Sequence, residues 1–118
     1  MIKVMWLLKR APHLSLSEFG DWWLNRHAPD IIADQSPYLK RYVIDLRVED
    51  DGALAGKPAV EPEWDGVAEQ WFETEADYNA VYGKASRPTR SDTLANTSAF
   101  QRIVVREFEQ PLPKSKTS

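Results

Sequence analysis

The 118-residue sequence contains no cysteine. That excludes disulfides, thiolate nucleophiles and cysteine-ligated metals, and leaves imidazole, carboxylate and hydroxyl groups as the candidate catalysts. Histidine is nearly as scarce, with only His13 and His27 in the chain. No apolar run approaches the roughly 18–20 residues of a membrane span. Met1 leads directly into an alternating apolar pattern without the layout of a signal peptide, so a cytoplasmic protein without a membrane partner is expected. A basic stripe is also missing: the formal net charge is −3, and Lys9–Arg10, Lys40–Arg41, Arg87 and Arg90 are scattered. This argues against nucleic acid as a partner. Neither a glycine-rich phosphate loop nor a nucleophile elbow is present.

Large rings are abundant: five Trp, four Tyr and four Phe. So many in one short chain must line a core, a pocket or an interface. The length is that of one domain with one core, expected to span residues 1–109 and to contain a single site. The Pro- and Lys-containing tail, 110–118, has little to bury and is expected to be poorly ordered.

Hydrophobic periodicity sets out the elements. Residues 2–9 alternate as a strand with Ile2, Val4, Trp6 and Leu8 on one face and Lys3, Met5, Leu7 and Lys9 on the other. Ser15 and Glu18 then form a capping pattern before a helix that carries Leu16, Phe19, Gly20, Trp23 and His27 in one sector. Pro29 is expected to stop this helix. Residues 39–49 and 66–73 read as strands, and 50–64 as a loop, either a lid or an extended hairpin connection. Thr74 caps a second helix with the stripe Tyr78, Val81, Tyr82 and Ala85, ended by Pro88. Residues 91–100 are expected to form a short helix carrying Leu94 and packing Phe100 onto the sheet. Ile103, Val104, Val105 and Phe108 mark the last strand.

The order βαββαβ predicts an α+β, ferredoxin-like fold, a four-stranded antiparallel sheet with both helices on one side. The other face would be bare, and it carries apolar residues. A bare apolar face of that size requires cover, so a homodimer packed sheet to sheet is expected.

The run Leu16-Ser17-Glu18-Phe19-Gly20-Asp21-Trp22-Trp23-Leu24-Asn25-Arg26-His27-Ala28-Pro29 resembles the EthD family of the dimeric α+β barrel superfamily. The opening Lys3-Val4-Met5-Trp6-Leu7-Leu8-Lys9-Arg10 is similar to its first strand, and Leu39-Lys40-Arg41-Tyr42 to the start of its second. The resemblance implies a cofactor-independent enzyme of the lactone isomerase or dehydratase type, acting on a small cyclic or aromatic carbonyl compound in a catabolic or secondary-metabolic pathway. It leaves open a cofactor-free monooxygenase of aromatic or polyketide substrates, and an accessory barrel that binds a small ligand without chemistry. Heme-binding relatives place a histidine later in the chain than His13 or His27, so no heme is expected.

His27 is the lead candidate as a general acid or base, since imidazole titrates nearest neutrality. It reads equally as a structural histidine bonded where the helix ends. By resemblance to the lactone isomerases, Tyr42 is its partner, a donor to a carbonyl or enolate oxygen. Asp30 is a candidate to orient His27 or to hold substrate. Glu69, beside Trp71 on one strand face, has either a raised pKa or an ordinary solvated charge. Trp6, Trp23, Trp71, Tyr82 and Phe100 are candidates to line an aromatic substrate pocket, or are plain core. His27 and Asp30 lack a third ligand, so no metal is expected.

Overall fold

The architecture was obtained as a computed structural model, which describes residues 1–49, 61–85 and 87–114. Strands β1 (Ile2–Arg10), β2 (Leu39–Leu46), β3 (Gly66–Phe72) and β4 (Thr97–Val105) form one antiparallel sheet in the order β2-β3-β1-β4. Helices α1 (Leu16–Trp22), α2 (Ala28–Gln35), α3 (Glu75–Tyr82) and α4 (Arg90–Asn96) cover one side. The expected ferredoxin-like arrangement is therefore the observed one. The smallest dimension, 22 Å, is that of one sheet and one layer of helices. No helix among the described residues is long and apolar enough to cross a membrane.

Strand register divides the side chains between the two faces. Val4, Trp6 and Leu8 stand beside Gln70 and Ala68 of β3 and Arg102 and Phe100 of β4, all facing the helices. Lys3, Met5 and Leu7 stand beside Trp71, Glu69 and Val67, which face away. On the helix side the core forms two clusters. Leu8, Phe19, Trp22, Trp23 and Ala68 make the first, and Val4, Phe72 and Val81 the second. Trp6 packs against both.

The Ser15–Glu18 capping box forms as expected and starts α1. The helix does not end at Pro29, however. In an unbroken α-helix the Pro29 ring would strike the Asn25 carbonyl and remove a rung of the ladder. Instead the chain widens into a π-helical turn over Trp23–His27, where the Ala28 N–H donates to Trp23 O, five residues back. Pro29 then falls in the first turn of α2, where a missing N–H costs least. The wide turn absorbs one residue and so rotates everything after it by about 100°. Uniform winding from Trp23 would have turned Asp30 and Asp34 inward. The buried residues are instead Ala28, Ile31 and Gln35, and Asp30 is exposed.

Further expectations are corrected. The last strand starts at Thr97 rather than near Ile103, because β4 is an edge strand and tolerates Ser98, Gln101 and Arg102. The expected short helix is α4, on which Leu94 is 53% exposed, while Phe100 belongs to β4 itself. Ala85 lies beyond α3, which ends at the Gly83 cap. The loop of 50–64 falls mainly on residues 50–60, outside the described residues. Its end is anchored by buried Asp65, which accepts hydrogen bonds from the Arg10 and Arg47 side chains.

Candidate active site

The two core clusters do not close on each other, and a cavity remains between the sheet, the π-turn and the helices α2 and α4. The room inside it for the centre of a water-sized sphere is about 50 Å³, and all the space between its walls, open solvent included, is about 580 Å³. The walls are aromatic and aliphatic: Trp6, Trp23, Tyr82 and Phe100 with Leu8 and Ile31. His27, Tyr42, Gln35 and Gln70 bring polar groups to it, as do Arg87, Arg90 and Thr93 from the α4 side.

His27 is 5% exposed and stacks on the Trp22 ring at 4.7 Å. Its Nδ1 lies 2.8 Å from Asp92 Oδ2. The same carboxylate accepts the Trp22 indole N–H through Oδ1 at 3.0 Å, and Asn96 Nδ2 at 3.2 Å. A carboxylate at Nδ1 requires an N–H there, so the neutral ring carries its proton on Nδ1 and keeps a lone pair on Nε2. Nε2 is 3.5 Å from Thr93 Oγ1, and both side chains line the cavity. The hydroxyl of Thr93 itself donates to Thr89 O. The π-turn thus presents a buried imidazole to an apolar space, held from behind by a carboxylate on a different helix.

Burial pushes the Tyr42 hydroxyl up to about 12, with the side chain of Trp23 pulling the other way. Tyr42 is therefore protonated at neutral pH and available as a hydrogen-bond donor. Burial also raises Tyr82, opposed by hydrogen bonds from Trp6 and Gln35. The Trp6 indole donates to the Tyr82 oxygen at 2.9 Å, and the Tyr82 hydroxyl donates to Gln70 Oε1. Gln35 is 3% exposed, and among the described residues its Oε1 has no hydrogen-bond partner.

Of the residues singled out from sequence, Trp6, Trp23, His27, Tyr42, Tyr82 and Phe100 meet at this cavity. Asp30, Glu69 and Trp71 do not. Asp30 is turned to solvent by the π-turn. Glu69 and Trp71 belong to the opposite face of the sheet, by the period-two alternation of β3. There Trp71 is sandwiched between Lys3 and Arg41 and donates to Glu107. The Glu69 pKa is lowered rather than raised, because its carboxylate accepts from Asp45 and then from Lys3, 2.5 Å away. Asp92, Thr93, Gln35 and Gln70 were not legible as site residues. No spacing rule ties a carboxylate on α4 to a histidine 65 residues earlier. Among the described residues no group of three His, Asp or Glu side chains is placed to hold a metal ion.

The profile of the EthD domain matches residues 11–89. The chain belongs to the EthD domain family. An EthD family protein of Bacillus halodurans superposes with a TM-score of 0.68 at 15% identity, over 92% of this chain and 99% of the other. SnoaB of Streptomyces nogalater, a cofactor-independent oxygenase, gives 0.61 at 14% identity over 96% and 97%. A dimeric protein of unknown function with a ferredoxin-like fold from Bacteroides fragilis gives 0.56 at 12% over 90% and 95%. At such identities the likeness is one of fold. No curated protein sequence is significantly similar to this EthD domain.

Proposed function

We propose that this EthD domain protein is a cofactor-independent enzyme that moves protons on a small cyclic or aromatic carbonyl compound, by lactone isomerisation or dehydration. The observation that carries the reading is the 2.8 Å Asp92–His27 pair, which leaves Nε2 as the free nitrogen of a buried ring at an apolar cavity. Nε2 takes a proton from the carbon next to the carbonyl. The C–H electrons move to the oxygen as an enolate, and the Tyr42 hydroxyl donates to it. The imidazolium, its charge balanced by Asp92, then returns the proton to another carbon in isomerisation. In dehydration it protonates a departing β-hydroxyl, which leaves as water.

The likeness to SnoaB supports a second reading, cofactor-independent oxygenation. Its first step would be the same proton removal, with dioxygen rather than a proton meeting the carbanion. Assembly as a homodimer through the sheet face turned away from the helices belongs to the proposal as well, supported by the apolar side chains Met5, Leu7, Val67 and Ile103 on that face.

Exchange of α-protons in heavy water, followed by proton NMR with 2-tetralone and an unsaturated γ-lactone as probes, tests the assignment. The protein should accelerate exchange, and His27→Ala should lose about 10²-fold or more of it. Asp92→Asn, which keeps the shape but no longer fixes the Nδ1–H tautomer, should lose a comparable factor in rate with little change in saturation. Equal exchange by the wild type and His27→Ala would leave the domain as a binding barrel only.

A further inference from the structure

The cavity carries two polar features that the proton-transfer reading does not use. At its mouth the Arg87 guanidinium lies 5.5 Å from the Trp6 ring and 5.1 Å from Tyr82. Arg102, on the helix-facing side of β4, lies 5.8 and 4.8 Å from the same two rings. Lys3 pairs with Glu69, Arg10 and Arg47 with Asp65, and Lys84 with Asp34, whereas Lys9, Arg26, Lys40, Arg41 and Arg106 stand without a carboxylate among the described residues. Among the described residues no carboxylate pairs with Arg87, Arg90 or Arg102. Two cations thus converge on one pair of aromatic rings without a counter-charge among the described residues, in a chain whose net charge is negative. Gln35 also lines the cavity, and its buried Oε1 has no donor among the described residues. A buried amide oxygen left unpaired is costly, and such atoms in native structures ordinarily meet a ligand or water.

Tyr82 joins the two features. Its ring lies beneath both guanidiniums, and its hydroxyl is held by Gln70, with Gln35 beside it. We propose that the cavity selects an aromatic or cyclic carboxylate that also bears a hydroxyl group. The carboxylate pairs with Arg87, which lines the cavity, and with Arg102, which lies outside the lining against the same two rings; the ring lies along Trp6 and Tyr82, and the hydroxyl donates to Gln35 Oε1. Arginine suits this role because its planar fork grips a carboxylate while its face stacks on the rings. This specificity rests on the cavity being the substrate site of the proposed function, but it concerns binding alone.

Isothermal titration calorimetry with 4-hydroxybenzoate, its methyl ester and benzoate tests it on the wild-type chain without any substitution. The hydroxy acid should bind, and the ester and benzoate should each bind at least about tenfold more weakly. In the double variant Arg87→Gln/Arg102→Gln the acid-to-ester ratio should fall to near one while the preference for the hydroxyl survives. Gln35→Met should do the reverse. Equal affinity for acid and ester, a ratio that persists in the double variant, or no detectable binding of the hydroxy acid would overturn the proposal. Repeating the wild-type series in His27→Gln separates the two readings. Retained ratios there, with lost proton exchange, would uphold both, whereas retained exchange would sink the His27 assignment and leave the binding result intact.

Discussion

Tyr42 sits where the sheet meets the π-turn, and its hydroxyl is the donor on which the proposed enolate stabilisation would depend. Its pKa of about 12 in the fold compares with 10.0 for a free phenol. A raised folded-state value means that the native chain holds this proton more tightly than the unfolded chain. The associated stability is complete below pH 10 and is lost as pH rises from about 10 through about 12. Two units correspond to about 3 kcal/mol. Urea unfolding across that window should therefore show the wild type losing stability more steeply than Tyr42→Phe. The two slopes should differ by an amount of that order once integrated, and parallel curves would mean that the hydroxyl is not held protonated by burial. Tyr82 shifts in the same direction and adds to the alkaline loss in both proteins. At neutral pH neither phenol acts as a base, so the proposed proton transfer falls to His27.

The π-turn and the start of β3 meet at one of the tightest points of the fold. A Cβ built on Gly66 would come within 2.5 Å of the Trp23 ring and 2.9 Å of Asp45 O. The second neighbour is backbone and cannot swing aside, so β3 must open or Trp23 must leave its place. Gly66→Ala should cost about 1–3 kcal/mol and lower Tm by roughly 4–12 °C, measured by thermal circular dichroism. An unchanged Tm would show that the helix and sheet stand further apart. Strands β1, β2 and β3 were legible in the sequence because one residue in two must face the helices, and α1 because Ser15 and Glu18 cap it and Phe19 and Trp23 share its inner face. The continuation past Pro29 was not, since proline ordinarily ends a helix, and only tertiary burial of Ile31 and Gln35 holds the wide turn. Of the site, the aromatic walls and His27 with Tyr42 could be anticipated, whereas Asp92 could not. Its partnership with His27 depends on where α4 docks, and α4 buries no residue that would announce it.

Across the whole molecule, the four helices cover only one face of the sheet. The other carries Met5, Leu7, Val43, Val67 and Ile103, with Ile103 40% exposed beside Met5. Its charged groups already answer one another. Glu69 accepts from both Asp45 and Lys3, and Asp45 is raised because it shares a hydrogen bond with Glu69. A face that is apolar in part and internally neutralised elsewhere costs little to desolvate against a copy of itself. Two-fold packing brings each apolar residue to its own counterpart patch. Sedimentation equilibrium should then give a mass near twice the 13.5 kDa of one chain. Ile103→Glu would set two unpaired carboxylates into that contact and should shift the protein to the single-chain mass at micromolar concentration. Because the cavity is built on the opposite side of the sheet from one chain's own residues, that monomer should keep its α-proton exchange. A wild type already at the single-chain mass would overturn the dimer, and loss of exchange in a folded monomer would mean that the partner completes the cavity.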